Sequence, residues 1–259
     1  MPSWLDLTLL QTQGWRLLAG LQITIEVVAI SCAIGFVLSY PIAVMRMARN
    51  PVLRLMSLSY VTFFRGTPLL CQLYLVYYGA GELRPFLTSA GLWWFFRDAF
   101  YCCIFAFALN TAAYQGEIIR GALLSVPRGQ IEAARALGLS PYRVARHVVF
   151  PQALLVALRP LGNELISIVK ASALAAIVTL LDLMGQTRFI FARTFDFSIY
   201  LYSALIYLAM TAAIARLWAF AERRLTRHLA RATEPIALGP TMLADAPQPV
   251  DLSTAIQAR

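Results

Sequence analysis

The chain has 259 residues, of which 59% are hydrophobic and only 14% charged, with a formal net charge of +9. A soluble domain carries about a quarter charged residues, so this composition places the chain among integral membrane proteins. The basic balance does not point to nucleic acid, because the arginines sit in short stretches between apolar runs. The cysteines (Cys32, Cys71, Cys102 and Cys103) lie inside apolar runs without metal-ligand spacing and read as small buried residues.

Residues 1–16 read as an extracytoplasmic segment containing a weak interfacial helix. A bilayer core takes about 20 apolar residues in a helix, and five segments qualify, at about 17–45, 58–80, 99–120, 151–180 and 199–220. Lipid offers no partner to backbone polar groups, so the spans are helices and the fold class is all-α. Pro41 and Pro68 read as helix kinks. Residues 226–259 hold several prolines and no long apolar run, and read as a disordered cytoplasmic tail.

Arginine sets the expected orientation. Arg46, Arg49 and Arg54 follow the first span; Arg128, Arg135, Arg143 and Arg146 follow the third; Arg223, Arg224 and Arg227 follow the fifth. The intervening loops are poorer in excess arginine. The bias puts the N-terminus outside and the C-terminus in the cytoplasm, with Trp93 and Trp94 at the outer interface and Trp218 near the inner one. Lys170 is the only lysine, and GNELISIV precedes it, so the chain holds no phosphate-binding P-loop. His147 and His228 lie in arginine-rich segments without a nucleophile to pair with, and no catalytic constellation appears.

Between the third and fourth spans, residues 125–150 parse as two short helices. Pro127 suits a first turn, and helix formers run from Gln130 to Leu137. Gly138 stands where a left-handed C-terminal cap belongs, Ser140-Pro141 reads as N-cap and N1, and Pro151 ends the second helix and opens the fourth span. Ala133, Ala134 and Gly138 allow close backbone approach, Ile131 and Leu137 offer apolar anchors, and Arg135 belongs to a polar rim suited to carboxylates. A solvated loop lying against lipid headgroups is the competing reading.

The pattern Glu132-Ala133-Ala134, Gly138, then Val148, Phe150 and Pro151 resembles the cytoplasmic signature of ABC importer permeases. Phe64-Arg65-Gly66-Thr67-Pro68-Leu69-Leu70 with Gln72 resembles an element of the polar amino-acid subfamily. Ala112-Ala113-Tyr114-Gln115-Gly116-Glu117, Asn163-Glu164 and Lys170-Ala171-Ser172-Ala173-Leu174 are similar to that group as well. Ala171 departs from the more usual acidic residue after the lysine. The resemblance covers roughly residues 15–225 and is strongest to permeases of the histidine/lysine/arginine and octopine/nopaline type, in their M component.

The resemblance implies a type I importer fold of five transmembrane helices in a bacterial inner membrane. It makes Glu132, Ala133, Ala134, Arg135, Leu137 and Gly138 a coupling helix that docks on an ATPase subunit. The chain itself then binds no cofactor and is no enzyme, since ATP-Mg belongs to the ATPase. The remaining partners implied are a second permease, a paralogous Q-type chain, and an extracytoplasmic substrate-binding protein.

Ionisable groups inside a membrane are costly and point to function. At 1.5 Å per residue, Glu164 lies roughly 20 Å from the inner face, whereas Arg65 and Arg159 lie roughly 10 to 12 Å from it. Glu26 lies in the outer half. Acids outside and arginines inside suit an amino acid: Glu164, with Glu26, toward an ammonium or basic side chain, and Arg65 or Arg159 toward the carboxylate, with Asn163 on the same substrate pathway. A permanent Glu–Arg packing pair or a gate is the alternative. An ion-coupled transporter or channel also accounts for these charges but leaves the cytoplasmic bracket unexplained.

Overall fold

Leu7–Arg46 forms one helix, α1, of 40 residues, about 60 Å long and so about twice the thickness of a bilayer core. The structure, a computed structural model, describes residues 7–230. Most of the expected N-terminal segment therefore belongs to α1, and the expected tail falls almost wholly outside the described residues. Pro41 sits inside α1 without ending it.

After a short loop, Asn50 caps α2 (Pro51–Gly66) by accepting from Val52 N, with Pro51 at the first turn. The continuous second span expected at 58–80 is instead two helices, α2 and α3 (Leu69–Glu82). Pro68 has no N–H and forces Thr67 into extended backbone (φ −111°, ψ 147°), so the helix stops there. Two short helices, α4 (Arg84–Ser89) and α5 (Trp93–Phe96), lead to α6 (Ala99–Leu124), which Asp98 caps through Phe100 N.

The bracket follows: α7 (Arg128–Ala136), α8 (Pro141–Val144), a π-helical turn (Ala145–Val149) and α9 (Phe150–Ala171). Pro127 sits at the N-cap of α7, one position before the first turn expected for it. Pro151 does not end a helix. The preceding turn widens so that Phe150 N reaches back to Ala145 O, and the backbone stays helical through the proline. A 3-10 segment (Ser172–Val178) extends α9 to Thr179, which is left-handed at φ 65°. Asp182 then caps α10 (Leu183–Thr194), and α11 (Ser198–Ala230) closes the described chain. Among the described residues, those up to Glu222 form one compact unit.

Among the described residues, four helical stretches are long and apolar enough to cross a membrane: Thr8–Arg46, Ala99–Leu124, Pro141–Val178 and Ser198–Thr226. The broken α2–α3 pair is too short in each half to count alone. The core gathers around α6, where Phe107 and Cys103 meet Val27 of α1, Leu73 of α3, Ile168 and Val169 of α9, and Val178. A second cluster joins Leu17 to Leu183 and Ile190 of α10 and to Ile199 and Tyr202 of α11. Where α1 crosses α6, Gly35 lies against Thr111 so closely that a Cβ would overlap the threonine methyl. Small residues of this kind let helix backbones approach where lipid gives no hydrophobic drive.

Candidate functional site

The bracket is presented outward. Within α7 only Ala134 is buried; Glu132, Ala133 and Arg135 are exposed, and Leu137 just beyond its end is 83% exposed. Gly138 takes φ +79°, a left-handed conformation that glycine adopts without a Cβ penalty. Gly138 N donates to Arg135 O, and Leu139 N to Ala134 O, which closes the helix end. Ser140 then caps α8 through Arg143 N. The result is a short amphipathic helix closed by a hydrogen-bonded turn, with an apolar tip at Leu137 that lies open among the described residues.

The second region lies where α2, α6 and α9 meet. Thr111 of α6 donates to Glu164 Oε1 of α9 at 3.1 Å, and Gln115 Nε2 donates to Thr111 Oγ1 at 3.2 Å. Thr111 and Gln115 are both buried. The Arg65 guanidinium is near enough for its charge to act on the Glu164 carboxylate, and it lies 5.1 Å from the centre of the Tyr114 ring. So the structure brings Glu164 and Arg65 into one neighbourhood. This is an acid and a base that no direct ion pair joins, beside the buried polar side chains of Thr111 and Gln115.

The remaining expected residues lie elsewhere. Arg159 pairs with Glu222 of α11 at 2.6 Å, and its side chain is 83% exposed. Asn163, one helical turn on, lines the same recess beside Gly162 and Trp218. Trp218 covers Gly162 and donates to Leu158 O at 2.8 Å, so it is a packing residue between α9 and α11. Glu26 is exposed on α1 and accepts from Gln22 at 2.8 Å. Arg159 and Glu26 therefore do not join Glu164.

Several polar residues that the sequence does not single out prove to be organised. Pro68 leaves Phe64 O without its helical donor, and Gln72 Nε2 and Asn110 Nδ2 supply it at 2.9 and 3.1 Å. Gln72 also donates to Thr67 O and Oγ1 and accepts from Asn110. Glu117 bridges Arg46 of α1 and Arg120 of α6, both at 2.8 Å. Gln72 and Gln115 do sit inside the motifs quoted above, so a signal existed; Thr111 and Asn110 carry none beyond being polar in an apolar run.

Residues 34–227 match the family of binding-protein-dependent transport system inner membrane components. The chain belongs to that family. The permease is 41% identical to the nopaline transport system permease protein NocM of Agrobacterium fabrum, over 87% of this chain and 94% of the relative. It is 40% identical to the octopine transport system permease protein OccM of Rhizobium meliloti, over 86% and 91%. To the histidine/lysine/arginine/ornithine transport system permease protein HisM of Escherichia coli K12 it is 37% identical, over 85% and 93%. Among solved structures it superposes on a chain of an amino acid ABC transporter with histidines, with a TM-score of 0.75 and 34% identity, covering 85% of this chain and 99% of that one. The permease is thus a multi-pass membrane transport component.

Proposed function

We propose that the permease carries polar, cationic amino acids or opines inward as the transmembrane subunit of an ATP-driven importer. The substrate class follows its relatives, which are named for nopaline, octopine and basic amino acids. The second span is the α2–α3 pair, which gives five spans in all. The arginine bias places Leu7 outside and α11's end in the cytoplasm. α7 is the coupling helix, with Leu137 as the anchor in an ATPase groove and Glu132 and Arg135 at its polar rim. ATP-Mg is held by that ATPase, a second permease of the Q type completes the pathway, and a substrate-binding protein delivers cargo. Alternating access follows: closing of the ATPase pair draws the bracket with it and opens the pathway outward, and hydrolysis returns it.

The observation that carries the coupling reading is the 83% exposure of Leu137 at the tip of a helix whose end is closed by backbone hydrogen bonds. Glu164 is the residue proposed to meet the cationic end of the substrate, with Arg65 toward its carboxylate. Proteoliposomes holding the full importer, loaded with binding protein and labelled L-arginine, test both parts. Glu164→Arg is expected to abolish uptake while the ATPase remains bound, and unchanged uptake overturns the site. Leu137→Cys is expected to crosslink to the ATPase, and failure to do so overturns the coupling.

A further inference from the structure

We propose that Gly35 and Gln115 are positioning residues which, acting through Thr111, hold the Glu164 carboxylate in a single orientation for its cationic ligand. The inference rests on the reading of Glu164 as a substrate residue.

Three observations converge. Thr111 is 0% exposed, and its methyl fills the space above Gly35 that any other residue's Cβ would take. Threonine carries its methyl and hydroxyl on one stiff Cβ, so fixing the methyl fixes the hydroxyl. With Cγ2 held against α1, Oγ1 is directed to Glu164 Oε1 across the α6–α9 contact. The glycine on one helix thereby sets the hydrogen bond between two others.

Gln115 sets the direction of that bond. Its Nε2 can only donate, so Thr111 Oγ1 must accept from it and spend its single proton on Glu164. Gln115 Oε1 is buried and makes no hydrogen bond among the described residues. The amide therefore holds Thr111 through its nitrogen alone, at the cost of an unpaired oxygen. Glu164 Oε1 is occupied by this relay, whereas Oε2 accepts no hydrogen bond among the described residues. One carboxylate oxygen is pinned to the protein and the other is left for a ligand. A carboxylate free to rotate divides its encounters between two oxygens and many orientations, and recognises a cation less well.

The test uses the full importer in proteoliposomes, with labelled L-arginine as probe, and infrared difference spectra of Glu164 identified by its loss in Glu164→Gln. Gly35→Ala and Gln115→Leu are expected to shift the Glu164 band and to raise the half-saturating L-arginine concentration about tenfold with little change in maximal rate. To separate the relay from misfolding, Gly35→Ala is paired with Thr111→Ser, which keeps the hydroxyl and removes the clashing methyl. The double variant is expected to return the band and the half-saturation toward wild type. An unmoved band in both single variants, or no recovery in the double variant, overturns the proposal. If Glu164→Gln alters uptake and the relay variants do not, this inference alone fails; if Glu164→Gln also leaves uptake unchanged, the substrate reading fails and takes the inference with it.

Discussion

Two helices of the permease are interrupted, and the interruptions are built in opposite ways. At Thr67–Pro68 the proline breaks the helix, and neutral amides repair it: Gln72 and Asn110 together satisfy Phe64 O, Thr67 O and each other. At Thr179–Asp182 no proline is present. The chain turns through a β-branched residue at φ 65°, and a carboxylate at 1% exposure caps the next helix. Asp182 accepts from Gly185 N at 2.9 Å, more weakly from Met184 N at 3.4 Å, and from Tyr207 at 3.5 Å. The first joint is bridged by neutral amides. The second contains a left-handed threonine and a titratable acid, which makes its stability depend on conditions where that of the first does not.

The contrast is broken most severely at the first joint. Gln72→Leu strands Phe64 O in part and Thr67 O entirely, and each unsatisfied buried group costs about 1–3 kcal/mol. Thermal unfolding in nanodiscs is expected to fall by about 10 °C, and a variant as stable as wild type shows that the joint needs no repair.

The second effect is a pH dependence confined to the other joint. Asp182 lies past the end of the fourth candidate span, and burial pushes its carboxyl up to about 6 in spite of the capping N–H groups. The folded pKa stands above the ordinary 3.8, so the folded state holds the proton more tightly. Its stabilising contribution is complete below pH 3.8 and is lost as pH rises through 6. Stability is expected to drop by roughly 2 kcal/mol between pH 4 and 7, and Asp182→Asn is expected to flatten that slope. A slope of opposite sign shows the cap hydrogen bonds outweighing burial.

The smallest effect sharpens the comparison. Thr179→Gly removes the left-handed penalty of roughly 1–2 kcal/mol less the entropy glycine adds to the unfolded chain. A rise of about 2 °C is expected. A fall indicates that the threonine hydroxyl, 3.5 Å from Tyr77 Oη, holds the joint by more than the strain opposes it.

The long uninterrupted helices were legible because their signals are local. The apolar runs at 17–45, 99–120 and 199–220 appear as α1, α6 and α11, and Gly138 after Leu137 marks the end of α7's turn. Proline was not decisive by itself: Pro41 stays inside α1, Pro151 is absorbed by a wider turn, and Pro68 breaks its helix. What differs at Pro68 is that Gln72 and Asn110 stand ready to take the freed carbonyl, and Asn110 comes from another helix, which spacing along the chain does not reveal. The same holds for the charges. Depth estimates grouped Arg159 with Glu164, but adjacent turns of a helix face different neighbours, and Arg159 turns to Glu222. Glu222 lies beyond the end expected for the fifth span, where no depth argument had placed a partner.

The π-helical turn at Ala145–Val149 has a consequence for how the two halves of the molecule are phased. One residue added to a helix rotates everything beyond it by about 100°. α8 and the stretch bearing Glu164 lie on either side of that insertion, within a single helical run from Pro141 to Val178. That one widened turn is therefore a clocking device: it decides which way Glu164 points for a given orientation of α8.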